Sequence, residues 1–195
     1  MENSQIRGNF SQKETGMYAI ETYDSYEYSP VKYNDAFKAQ LNITTANVET
    51  KKIADGEMHS TLLFTDNGNI DIVGSKIILN PLLFLKAQNH GFDQVEERIN
   101  SIDFVSPNHH TKTVEIEIPE GYKIAEMPKP QSTRTDDNEV SYRYKCEILK
   151  DNILRVTSEI KIASGNYPRE YYPFFKQVYK LISDAENQVI SLTKK

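Results

Sequence analysis

Apolar and polar positions alternate along the second half of the chain. Val114, Ile116 and Ile118 fall on one side of an extended backbone while Thr113, Glu115 and Glu117 fall on the other, the period of a half-buried strand. Val140, Tyr142, Tyr144 and Cys146 form a second such face, and Leu154, Val156, Ile160 and Ile162 a third. Asp151-Asn152 supplies the turn between those two strands, and Pro119-Glu120-Gly121 turns the chain after the first. The period then changes: Tyr171, Phe174, Phe175, Val178, Leu181, Ile182, Ala185 and Val189 recur every three or four residues, the stripe of an amphipathic helix. Pro168 suits its first turn, and Pro173 is early enough to be tolerated.

The front half alternates less cleanly. Tyr18, Ile20, Tyr26 and Tyr28 predict a strand over 17–28 that Pro30 ends. Residues 34–53 read two ways, Ala36, Phe37 and Leu41 sharing a helical face or Leu41, Ile43 and Val48 a strand, and the long strand beginning near Phe37 is the favoured expectation. Met58 to Ile72 predicts a hairpin, because Asp66-Asn67-Gly68 can supply the positive φ of a tight turn. A short strand over Lys76 to Leu79 stops at Asn80-Pro81, since proline cannot donate to a ladder. The polar stretch 86–100 predicts a loop, with one helical turn at Asp93 to Arg98. The organisation expected is a disordered or appended start over 1–16, a β-rich region over 17–85 and a β-sandwich with a terminal helix over 101–195. The fold class is mainly β: an antiparallel, sandwich-like body, or two small β domains, carrying one amphipathic C-terminal helix.

Composition supports this and narrows the function. Twelve Tyr, eight Phe and no Trp, with many β-branched residues, suit pleated surfaces. The 28 acidic and 23 basic residues give a formal charge of −5, and no clustered Lys/Arg face points to nucleic acid. One cysteine, Cys146, excludes an intrachain disulfide and a thiolate metal cluster. The first twenty residues hold no apolar block of signal-peptide kind, and the longest apolar stretch, Ile77 to Leu85, is too short to span a bilayer.

From Lys76 onward the residues carry a resemblance. Leu79-Asn-Pro-Leu-Leu83, Ile102-Asp-Phe104, the run from Ile118 to Pro130 (IPEGYKIAEMPKP) and the run from Tyr171 to Leu192 resemble a C-terminal domain of unknown function that follows transglutaminase-like domains in Bacteroidota envelope proteins. The resemblance implies a β-sandwich with a terminal helix, exported to the periplasm or cell surface. It implies an upstream transglutaminase-like partner and no catalytic residue. About 75 residues precede it, too few for a transglutaminase-like module, so the chain is expected to be a piece of a longer protein, the favoured reading, or a short relative that has lost the module.

The remaining candidate chemistry is thin. All four histidines precede Cys146, the reverse of the Cys, His, Asp order of a transglutaminase-like site, and Cys146 lies on a core-facing strand position where a thiol is inert. His109 and His110 are expected as solvated loop residues whose rings diverge and cannot share a metal ion. The calcium-like run Asp66 to Asp71 lacks its bidentate glutamate, Gly74 standing in that place. No P-loop, dinucleotide fingerprint or G-x-S-x-G elbow occurs. The expected catalytic set, metal set and cofactor set are therefore empty.

Two binding modes and one reaction remain. Tyr18, Tyr23, Tyr26, Tyr28 and Tyr33 could form a platform for a sugar or peptide. Exposed sheet edges could add a strand from a surface protein or peptide. A hydrolase would need a carboxylate pair, Asp136-Asp137 or Glu96-Glu97 beside Arg98, with one proton affinity raised by burial. The function expected first is a non-catalytic accessory or binding module without a membrane span.

Overall fold

A computed structural model describes residues 6–41, 44–66, 70–87, 92 and 98–195. They fall into two compact units that divide between Ile70 and Asp71.

The first unit begins with strand β1 (Ile6–Thr15), continues through helices α1 (Met17–Tyr28) and α2 (Pro30–Leu41), and ends with β2 (Thr44–Ala54) and β3 (Glu57–Asp66). The sheet order is β1-β3-β2, all antiparallel. Asp55-Gly56 closes the β2–β3 hairpin, Gly56 taking the positive φ of 70° that glycine adopts without a Cβ clash. Met58, Leu62 and Phe64 bury one face of β3. At Gly8 a Cβ would stand 2.9 Å from the Phe64 ring, so this strand position accepts only glycine without rearrangement. Phe37 of α2 is buried, its ring 6.0 Å from Phe10 of β1.

Four expectations change here. Residues 17–28 are helical rather than extended, because the buried side chains of α1 are the small Ala19 and Thr22, which a count of large apolar residues overlooks. Pro30 opens a helix instead of ending a strand: it sits at the first helical position, and the Lys32 N–H donates to the Ser29 hydroxyl at 3.4 Å. The strand expected from Phe37 begins only at Thr44. Residues 6–15, expected within a disordered start, pair along their whole length with β3.

The second unit contains β4 (Ile70–Val73), β5 (Lys76–Leu79), β6 (Ile102–Asp103), β7 (Asn108–Glu117), β8 (Tyr122–Glu126), β9 (Gln131–Arg134), β10 (Val140–Ile148), β11 (Ile153–Ile162), β12 (Asn166–Tyr167), α3 (Tyr172–Glu186) and β13 (Ile190–Lys194). One sheet runs β7-β11-β10-β9, a second β4-β5-β13-β8, and β6 pairs with β12. The mainly β, antiparallel class is as the patterning predicts. The alternating faces of β10 and β11 bury Val140, Tyr142, Tyr144, Cys146, Leu154, Val156 and Ile162.

Helix α3 buries Tyr172, Phe175, Val178, Ile182 and Ala185, the large ones worth roughly 1.5 to 3 kcal/mol each. Around Phe175 gather Ile102, Val140, Ile162, Tyr167 and Tyr172, with Phe92, Phe104 and Tyr179 at the margin.

Three further corrections belong to this unit. The hairpin expected across 58–72 does not form, since β3 and β4 belong to different sheets; its turn residues 67–69 lie outside those described. Residues 71–85, grouped by sequence with the N-terminal region, fall in the second unit, where Ile77 to Leu79 pair with the end of the chain, Leu79 opposite Ile190. Helix α3 stops at Glu186, and Val189 stands outside it, just before strand β13. The helical turn expected at Asp93 to Arg98 falls almost wholly outside the described residues.

Candidate functional site

Strand β7 is the longest edge of its sheet, ten residues against four in β9. It pairs with β11 without a bulge, Asn108 opposite Ile162 through Glu117 opposite Ile153. The Ile118 N–H donates to the Asn152 carbonyl at 3.0 Å in the same register. Because main-chain groups alternate sides along an antiparallel ladder, the even-numbered residues point theirs at β11 and the odd-numbered ones point away. His109, Thr111, Thr113, Glu115 and Glu117 thus direct N–H and C=O groups to the side that no other described strand pairs with, and all five residues are exposed. A row of such groups is a template for another strand.

Native sheets often guard an edge with lysine. The lysine of β7, Lys112, is drawn inward: its Nζ donates to Oε2 of Glu186 at 2.7 Å. Glu186 is only 2 % exposed. Its other oxygen accepts the Ser158 hydroxyl, and Ser158 in turn meets the Tyr142 phenol at 3.4 Å. The Glu186 carbonyl accepts the Asn80 amide at 2.7 Å, while Asn80 Oδ1 caps the Leu82 N–H at 2.9 Å. One buried carboxylate therefore joins the end of α3 to the centre of the sheet, and the same residue's carbonyl ties in the segment after β5. Sequence reading missed this group, although an acid four residues after Ile182 on an apolar helix stripe is its visible signal.

The outer face of the sheet is a lattice of surface ion pairs. Glu159 accepts from His109 at 2.8 Å and Arg143 at 2.8 Å, and Glu115 from Arg155 at 2.6 Å. His109 and His110 lie on strand β7, not in the loop expected for them. They occupy alternating positions of the strand, and burial, then Lys112 and His109, holds His110 below the usual imidazole range. No cluster of three metal-ligating side chains occurs among the described residues.

Cys146 is buried, and burial pushes its thiol up, away from a reactive thiolate. Asp137 does not carry the raised proton affinity that a carboxylate acid needs: hydrogen bonds from Thr135, Tyr171 and the Glu139 N–H hold it down at about 2. Glu96 and Glu97 lie outside the described residues.

The five tyrosines sit on α1 and α2. Tyr33 stacks on Phe37 at 6.1 Å, and Tyr26 meets Tyr33 edge-on at 87°. Tyr23 donates to Glu27 at 2.9 Å beneath the ammonium of Lys52. Tyr18 is at the margin of exposure, and Tyr28 is 85 % exposed. They do not form one coplanar row. Tyr26 and Tyr33 join the two helices.

No helix among the described residues is long and apolar enough to cross a membrane. Comparison with known proteins finds no curated protein and no solved structure that matches the chain. A family model does match, over residues 75–192 and so over more than half of the chain. That span coincides with the segment whose motifs resemble a domain of unknown function. The chain belongs to this family, DUF3858, a domain of unknown function with solved-structure structure.

Proposed function

We propose that the chain is a non-catalytic accessory module of an exported, transglutaminase-like bacterial protein, and that it acts by strand addition at the open edge of β7. The observation that carries the reading is the direction of the main-chain groups of five successive odd-numbered residues, His109 to Glu117, away from β11. The motif resemblance over Lys76 to Leu192 supports the exported, transglutaminase-linked setting. The raised Cys146 thiol and the lowered Asp137 carboxyl favour a binding role over acyl transfer or acid-base chemistry.

Amide exchange tests this directly. With the edge empty, the amides of Thr111, Thr113, Glu115 and Glu117 exchange as fast as those of a loop. Adding the transglutaminase-like domain to the full chain, or joining the two as one polypeptide, slows them about 100-fold or more as a strand covers them. Rapid exchange at all four in every state overturns the reading.

A further inference from the structure

Resting on the strand-addition reading, we propose that the strand which adds to β7 is β7 of a second copy of the chain, antiparallel, with Thr113 opposite the partner's Thr113.

The argument starts from what β7 presents along its open side. A donor end, His109 and Thr111, is followed by Thr113 and then by an acceptor end, Glu115 and Glu117. Antiparallel self-pairing about Thr113 places Thr111 opposite the partner's Glu115 and His109 opposite the partner's Glu117. Threonine meets threonine at the two-fold axis, a favoured cross-strand pair, and no carboxylate faces a carboxylate. Moving the register so that Glu115 meets its own copy, or Glu117, sets like charges opposite one another and is disfavoured. The centred register uses the strand from His109 to Glu117 and forms about ten main-chain hydrogen bonds.

The other long edges lack these features. β2 carries two register irregularities against β3. In β1 the Gly16 N–H donates to the Gly56 carbonyl, so odd-numbered residues face its open side, and their charged members, Arg7 and Lys13, are both basic. β7 has neither proline nor glycine, pairs without a bulge, and has its lysine held inward by Glu186. The Thr113 N–H plays no part in the β7–β11 ladder, so it can be removed without breaking the fold.

The test is the solution mass of the full chain by sedimentation or light scattering across concentration, combined with disulfide capture. The wild-type chain is expected at roughly twice its 22.4 kDa mass, and Thr113→Pro weakens association about 100-fold by deleting the central pair of bonds. Under oxidation Thr113→Cys links to its own copy, since paired Cα atoms about 5.5 Å apart suit a disulfide. Glu115→Cys, which faces Thr111, does not link. Buried Cys146 leaves the introduced thiol as the accessible one.

A wild-type chain that stays monomeric at every concentration overturns the proposal, as does a dimer that Thr113→Pro leaves intact. If Thr113→Pro does not fold, equal cross-linking of the two cysteine variants, or none in either, overturns it. The underlying reading fails separately: a monomer whose β7 amides slow only with the transglutaminase-like domain keeps strand addition and loses the dimer, whereas fast exchange throughout loses both.

Discussion

Replacing Lys112 by methionine removes the cation that meets Glu186 at 2.7 Å and keeps most of the side-chain volume. Glu186, 2 % exposed, then keeps, among the described residues, the Ser158 hydroxyl as a side-chain donor. Breaking one half of a buried ion pair costs about 3 to 5 kcal/mol. Because the Lys112 side chain is 32 % exposed, the expected loss lies at the low end of that range, about 3 kcal/mol, a large share of the roughly 5 to 15 kcal/mol that holds a domain folded.

Urea unfolding followed by circular dichroism measures the loss. The double variant Lys112→Met with Glu186→Gln recovers most of the loss, since no charge is left buried. A single variant within about 1 kcal/mol of wild type, or a double variant no more stable than the single one, refutes the assignment of Glu186 as a charge held by Lys112.

Two further outcomes are expected. Phe175→Ala, at the centre of the aromatic cluster with rings of Phe104 at 5.0 Å and Tyr167 at 5.1 Å, loses about 3 to 5 kcal/mol in the same unfolding assay, and a loss below 1 kcal/mol contradicts the packing described. The Asp137 carboxyl titrates by NMR at about 2. Because that value lies below the unfolded one, its contribution to stability is present above about pH 4 and disappears as pH falls towards 2. Tyr171→Phe and Thr135→Val each raise the midpoint, and a midpoint near 4 in the wild-type chain rules out the hydrogen bonds described.

The strands β7, β10 and β11 and the helix α3 were legible because each carries its own signal. One face is apolar at a period of two or of 3.6, and the turns between them use Asn152 and Gly121 at positive φ. Helix α1 was not legible, because its tyrosines have strand-like spacing and its packing face is made of Ala19 and Thr22. The hairpin around Asp55-Gly56 carries the usual two-residue signal, but Asp66-Asn67-Gly68 downstream competes with it for the same strand. Of the candidate edge, the outward set Thr113, Glu115 and Glu117 could be read from alternation, but whether β7 lies at the middle or the margin of a sheet could not.

By itself the sequence determined the period of each strongly patterned segment, the β-rich class and the family resemblance after Lys76, all properties of neighbouring residues. Tertiary structure alone decided which strands are neighbours. It placed β13 beside β5, Ile190 opposite Leu79, drew Lys112 off the edge to a glutamate 74 residues away, and left β7 open. Pairings at such separations are selected by the total burial and hydrogen bonding of the folded chain, to which no local window of sequence has access.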